Sequence, residues 1–232
     1  MHWSGGKDSA YTLWRLEDSA SVGGLITSMS EEFRRVSMHG VREALLDTQA
    51  EALGLQLKKL LIPKDASMEA YSAMMKREMG ALRETGVETC IYGDIYLEDL
   101  RAYRESEMEA CGLKCSFPIW KEADTATIAR SIIDAGIKAK IVCVSGKFFD
   151  ASYLGKDYDL DFLNSLPEGV DPCGENGEFH TFVYDSPSYK APINVALGEI
   201  QGHSYTPGGD DDDCDCCKTW DTEFLFQDLQ LA

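Results

Sequence analysis

Residues 4–9 read Ser-Gly-Gly-Lys-Asp-Ser and run directly into a helical pattern marked by Ala10, Leu13, Trp14 and Leu16. Two adjacent glycines let the chain turn where a Cβ would obstruct, so that backbone N–H groups converge on one concavity at a helix N-terminus. Lys7 adds a mobile positive charge, and Ser4 and Ser9 add hydroxyls. The pattern describes a phosphate-binding loop. It is not the Walker loop, whose glycines stand farther apart ahead of Gly-Lys-Ser/Thr. The competing reading is a Gly-Gly turn followed by an Asp-Ser helix cap. A phosphate loop of this kind follows a buried strand, yet only Met1 and His2 precede Trp3. The expectation is a late start or a missing first strand, with neighbouring strands left short of backbone partners.

With 232 residues the chain can bury a sizeable core. No apolar run approaches the roughly 20 residues of a membrane span. The N-terminus shows no basic-then-apolar leader, so the expected location is the cytoplasm. A formal charge of 22 minus 40, or −18, repels polyanions and argues against non-specific binding to nucleic acid. The densest basic stretch, Lys58, Lys59 and Lys64, reads as a solvated edge. Cys90, Cys111, Cys115, Cys143 and Cys173 are scattered and read as reduced core residues, not as a disulfide framework. Residues 208–217 are acidic, and their Cys214, Cys216 and Cys217 lack the Cys-x-x-Cys spacing of structural zinc sites. That segment is expected to be an acidic hairpin tip, with a soft-metal site formed by the three cysteines and nearby aspartates as the alternative.

Strand and helix patterns alternate through the first half. Strands are expected at 22–27, 55–62, 89–92 and 114–119, and helices at 41–53, 68–83 and 97–111. Such alternation predicts an α/β unit of parallel strands with ligands at their carboxyl ends, which brings the first loop and Gly93-Asp94 to one rim. Beyond Lys121 the pattern changes. A helix at 125–135, a strand at 139–145 and later strands at 179–184, 194–201 and 223–226 predict a smaller α+β domain with an antiparallel sheet. The expected division is 1–121 and 122–232.

The second informative segment is 171–185. Glu175 and Glu178 flank the turn signal Asn176-Gly177, and His180 stands at alternate strand spacing from Glu178. Extended backbone would put Glu178 and His180 on one side, a set suited to substrate binding, proton transfer or a metal contact. The alternative is a solvated hairpin with a local role for His180.

Four motifs together, Trp3-Ser-Gly-Gly-Lys-Asp-Ser9, His39-Gly-Val-Arg42, Gly93-Asp-Ile-Tyr-Leu-Glu-Asp-Leu100 and Cys173-Gly-Glu-Asn-Gly-Glu-Phe-His-Thr181, resemble the diphthine-ammonia ligase family. The first motif is shared with the wider PP-loop ATP pyrophosphatase superfamily, and the last is specific to this family. The resemblance implies a Rossmann-like PP-loop domain of the HUP type, followed by a smaller domain. It implies the chemistry as well: a carboxylate attacks ATP to form an acyl-adenylate, pyrophosphate leaves, and ammonia displaces AMP. The acceptor would be diphthine on translation elongation factor two, or a small carboxylic acid.

By the same resemblance Ser4, Gly5, Gly6, Lys7, Asp8 and Ser9 would cradle phosphates, and Gly93 and Asp94 would line the nucleotide cleft, Asp94 through Mg²⁺. Lys7, Glu175, Glu178 and His180 are the candidate catalytic groups, and Asn176, Gly177 and Thr181 the candidate acceptor contacts. His39 and Arg42 are weaker candidates. Two other classes stay open: an RNA-modifying PP-loop enzyme such as a tRNA thiolase, against which the charge counts, and an ATP-binding module without chemistry. No nucleic-acid or membrane partner is expected, and self-association is left open.

Overall fold

The computed structural model describes residues 1–16, 22–36, 39–64, 66–205 and 222–232. The acidic segment with Cys214, Cys216 and Cys217 lies outside them. The first half alternates as α1 (Lys7–Arg15), β1 (Leu25–Ser30), α2 (Glu43–Leu53), β2 (Leu57–Ile62), α3 (Met68–Glu84), β3 (Thr89–Ile91), α4 (Glu98–Ala110) and β4 (Lys114–Ser116). β1 pairs in parallel with β2, from Leu25↔Leu57 to Ser30↔Ile62, and β3 pairs in parallel with β4. β4 is shorter than expected and ends two residues before Pro118, which has no N–H to extend a ladder.

The expected deficit at the first strand takes a different form. His2 bridges Ile26 in parallel; Trp3 N donates to Ile26 O (2.8 Å), and Ile26 N donates to Met1 O (2.9 Å). On the other side His2 N donates to Ile91 O at 2.8 Å. Residues 1–3 therefore stand between β1 and β3 and satisfy backbone groups of both. β1 itself lies at 25–30, three residues later than expected, because Leu25 is where the register with Leu57 begins.

The second half holds α5 (Thr125–Asp134), β5 (Lys138–Ser145), α6 (Leu160–Asn164), β6 (Phe179–Asp185), β7 (Val195–Tyr205) and β8 (Thr222–Leu231). Its strands form an antiparallel sheet in the order β6-β5-β8-β7. β8 runs five residues beyond the expected 223–226, because 227–231 keep pairing with β7 as far as Val195↔Leu231. Among the described residues no helix is long and apolar enough to cross a membrane.

One apolar cluster joins both halves. Trp3, Leu13, Leu45 and Leu46 pack in the same buried group as Ile128, Ile132, Ile141, Val144, Phe179 and Phe182. A smaller cluster of Ile26, Leu60, Met75, Met79, Cys90, Tyr92, Met108 and Leu113 lies under α3 and α4. Inside the larger cluster sits one fully buried amide, Gln49 on α2. Its Oε1 accepts from Trp3 Nε1 (2.8 Å), and its Nε2 donates to Gly5 O (3.0 Å) and Val183 O (2.7 Å). Val183 N also donates to Gly5 O, at 2.9 Å. The first loop, α2 and β6 thus meet at one side chain.

Replacing Gln49 by Leu would leave Trp3 Nε1 and Val183 O without these partners in a dry interior, where each loss costs about 1–3 kcal/mol. We expect Gln49→Leu to lower the unfolding free energy by at least about 2 kcal/mol in urea titrations. A loss within 0.5 kcal/mol, the scale of an ordinary surface substitution at roughly ±0.5 kcal/mol, would show that the joint carries no such load.

Candidate active site

The first loop opens onto a cavity of about 450 Å³ at the carboxyl ends of β1 and β3. Its walls come from the loop (Ser4, Lys7, Asp8, Ser9), from β1 (Thr27, Ser28), from Gly93, Asp94 and Arg104, and from Glu175, His180 and Thr181. The expected convergence of the loop, Gly93-Asp94 and the 171–185 segment is therefore a physical one.

Gly5 has φ 81, and a Cβ there would stand 2.8 Å from Leu46 Cδ2 and 2.9 Å from Gln49 Oε1. That position needs glycine on both conformational and steric grounds. The hydroxyls hold the turn from within: Ser4 Oγ accepts from Gly6 N (3.2 Å) and lies 2.8 Å from Ser9 Oγ, which accepts from Ser4 N (3.2 Å). Gly6 is the N-cap of α1 and brings no side-chain cap, so first-turn amides of α1 keep donor capacity for an anion. Lys7 N is engaged by Thr181 Oγ1 at 3.0 Å, tying the helix start to β6.

Lys7 is only 2% exposed. Its Nζ donates to Asp8 Oδ2 (3.0 Å) and to Cys173 O, and lies over the rings of Phe179 (5.2 Å) and Tyr158 (5.5 Å). Burial works to discharge the ammonium, but neighbouring groups led by Asp8 hold its pKa above the ordinary lysine value. Burial raises Asp8 in spite of Lys7, and raises Asp94 in spite of its ion pair with Arg104 (2.7 Å).

Glu175 is pushed up to about 7, by burial first and by the nearby Asp8 charge second. Ile95 N (2.8 Å) and Tyr96 N (3.4 Å) both donate to its Oε1 and fix the side chain. A carboxyl that changes protonation near neutrality, held rigidly at a cavity wall, is suited to proton transfer.

The other carboxylates of this segment are committed to the turn. Glu178 is 3% exposed and accepts from Asp171 N (3.1 Å), Asn176 N (2.9 Å) and Asn176 Nδ2 (3.0 Å). Asp171 accepts from Cys173 N (3.1 Å), Glu175 N (3.1 Å) and Tyr96 Oη (3.0 Å). Strand alternation begins only at Phe179, so Glu178 does not share the cavity side with His180 as its spacing predicts. Glu178, Asn176 and Gly177 are absent from the cavity wall; they shape the turn that presents Glu175.

Three imidazoles line the cavity: His2, His39 and His180. His39 and His180 stack with centroids 4.5 Å apart, and His39 Nδ1 lies 3.3 Å from Thr181 O. Burial lowers His39 to about 4 and His180 well below the ordinary histidine value, with Lys7 opposing their protonation as well. His2 stacks on Tyr92 and is lowered to about 3 by burial and by Arg104. All three are neutral near pH 7. Arg42, offered with His39 from one motif, turns away from the cavity to Asp228 on β8.

Sequence reasoning missed His2, Tyr92, Arg104 and Gln49. His2 adjoins the loop motif and was within reach of it. Arg104 lies ten residues after Asp94 with its guanidinium 4.5 Å from the Tyr92 ring centre, and no motif joins these three.

A glycine-rich loop heading a helix beside parallel strands, facing a polar cavity, defines an α/β protein of the PP-loop class. Residues 1–115 match the family model for the diphthamide synthase N-terminal domain, and residues 124–208 that for the diphthamide synthase C-terminal domain. The chain is 26% identical over 228 residues to a diphthine–ammonia ligase of Homo sapiens, covering 87% of this chain and 84% of that protein. Against the Danio rerio diphthine–ammonia ligase it is 26% identical over 230 residues, covering 87% of each. The Schizosaccharomyces pombe protein of that name is 25% identical, with 36% of its length covered. The chain belongs to the diphthine–ammonia ligase family.

The neutral histidines set a direction for pH dependence. His39 titrates near 4 in the fold against 6.5 as its ordinary value, so between these pH values the unfolded chain binds more protons than the folded one. Stability therefore falls as pH drops from 6.5 toward 4. The contribution of His39 is on the order of 3 kcal/mol. His39→Asn should flatten this part of the urea-unfolding profile. An unaltered profile would mean that the ring is solvated and titrates normally.

Proposed function

We propose that this chain is an ATP-dependent carbon–nitrogen ligase that amidates diphthine on translation elongation factor two with ammonia. The observation that carries the reading is that Glu175, held by two backbone donors and pushed up to about 7 by burial, faces the same cavity as the glycine loop and Lys7. The names of the relatives supply the acceptor and the nitrogen source. We further read residues 1–121 as a Rossmann-like nucleotide half and 122–232 as the smaller substrate half, with the cavity between them.

The loop amides and Lys7 bind and orient the phosphates and oppose the charge that develops on departing pyrophosphate. The acceptor carboxylate attacks the α phosphate and gives an acyl-adenylate and pyrophosphate. Ammonia then adds to the acyl carbon, and AMP leaves with the electron pair of the broken C–O bond. Glu175 takes the proton that nitrogen must lose. Its two backbone donors hold the carboxyl in place while its charge changes. The buried neutral histidines pack beside the loop without adding charge.

Mg²⁺ fits this wall. Asp8 Oδ1 is buried without a hydrogen-bond partner, and Asp94 lies on the same cavity. Among the described residues no group of three or more ligating side chains gathers, which agrees with an ion held by one or two carboxylates together with substrate phosphates. When bound, the ion would neutralise phosphate charge.

The thiolase reading finds little support here. Cys173, the described cysteine beside Lys7, is pushed up by burial and stays a thiol.

The test is release of AMP and pyrophosphate with ATP, Mg²⁺, ammonium and either diphthine-bearing elongation factor or a panel of small carboxylic acids. Lys7→Ala should lower acceptor-dependent AMP release by roughly 10²–10³-fold while circular dichroism stays native. Wild-type rates should climb through about pH 7 as Glu175 loses its proton, and Glu175→Gln should abolish both the inflection and most of the rate. AMP release driven by a small acid alone would move the acceptor assignment. ATP binding with no AMP under any acceptor condition would overturn the ligase reading.

A further inference from the structure

The loop that carries His39 is fastened from an unexpected direction. Residues 31–36 leave β1 and residues 39–42 lead into α2 as two short limbs, bridged at Arg35↔Arg42 and by Val36 N to Val41 O (3.0 Å) and Gly40 N to Val36 O (2.9 Å). Each limb contributes one arginine to the same carboxylate. Arg35 Nη2 donates to Asp228 Oδ1 at 2.8 Å, while Arg42 Nε and Nη2 donate to Oδ1 (2.8 Å) and Oδ2 (2.7 Å). Gln230 Nε2 adds a longer bond to Oδ2 at 3.3 Å, and Arg35 Nη1 donates to Gly40 O at 2.6 Å. Asp228 is 8% exposed, and these partners hold its pKa well below the carboxylate range against the effect of burial.

A second contact on β8 meets the residue next to His39. Gly40 has φ 65, and a Cβ there would come within 2.7 Å of Phe226 Cδ1. Beyond Gly40, the His39 ring stacks on His180, and its Cε1 lies 3.0 Å from the Cβ position of Gly6. A continuous path of contacts thus runs from β8 through the Arg35–Arg42 clamp to the wall of the cavity and the glycine loop.

We infer that β8 is a positioning element of the active site: Asp228, through Arg35 and Arg42, and Phe226, against Gly40, set where His39 stands over the loop. β8 spans Thr222–Leu231, past residue 208 where the match to the family's C-terminal domain model ends. The inference rests on the reading of this cavity as the reaction site. Asp228 touches no cavity wall and acts only through the arginines.

Two variants test it, Asp228→Asn and Arg42→Gln. The Arg42 side chain is 45% exposed, so its replacement keeps the fold even where the first variant does not. Hydrogen–deuterium exchange read on peptides spanning 34–43 should accelerate about tenfold in both variants, with peptides of β5 and β6 unchanged. Exchange at wild-type rates in 34–43 would overturn the inference, and this readout stands whether or not the ligase chemistry holds. In acceptor-dependent AMP release, Asp228→Asn should lower kcat about tenfold with the KM for ATP within twofold. Adding His39→Ala should cost nothing further, and Asp228→Glu should recover most of the rate. Fully additive losses from Asp228→Asn and His39→Ala would sink the positioning role.

Discussion

The buried amide of Gln49 is the interaction on which the site depends. Its oxygen and both of its N–H groups are consumed by Trp3, Gly5 and Val183, at zero exposure and within one side chain of the glycine turn. An amide has one acceptor group and two donors, so the three contacts use its capacity in a single geometry. Shifting any of the three elements would strand a polar group in the core. That constraint places the carbonyl of Gly5, and hence the turn that follows, relative to β6. Thr181 then reaches Lys7 N, and His180 reaches the cavity, as consequences of the same register.

Electrostatics in the cavity follow from burial more than from net charge. A chain of charge −18 presents a hostile field to a polyanion. Locally, burial works against charge on the wall: it raises the carboxyl pKa values of Asp8, Asp94 and Glu175 and keeps the imidazoles uncharged. Lys7 stays charged because Asp8 and the Cys173 carbonyl sit against it, with two aromatic faces nearby. The outcome is a wall with one cation held at the head of a helix and one carboxyl, Glu175, pushed up to about 7.

Division of labour within 171–178 explains why one carboxylate is available. Asp171 and Glu178 spend their oxygens on backbone donors of the turn, and Gly174 and Gly177 take the positive φ values it requires (66 and 82). Glu175 is presented outward by that scaffold and braced by two amides of the loop after β3. The loop after β1 is braced in a comparable way from β8, so the cavity is bordered by segments whose supports lie far away in sequence.

Local signals in the chain were enough for the glycine turn, for the alternation of strand and helix ahead of Lys121, for the antiparallel character of the later strands and for the motifs that define the family. Each of these is a short-range property: a conformational demand, a periodicity or a run of neighbouring residues. Spacing misjudged Glu178 because alternation holds only within a strand, and β6 starts one residue later. Arg42 was a weaker candidate through the motif it shares with His39, whereas its partner Asp228 is 186 residues away. Nothing local links Gln49 to Gly5, Arg104 to Asp94 or Asp228 to the His39 loop. Those pairings, and the raised pKa of Glu175, were decided by tertiary structure alone, because burial and hydrogen-bond satisfaction depend on which distant segments exclude water together.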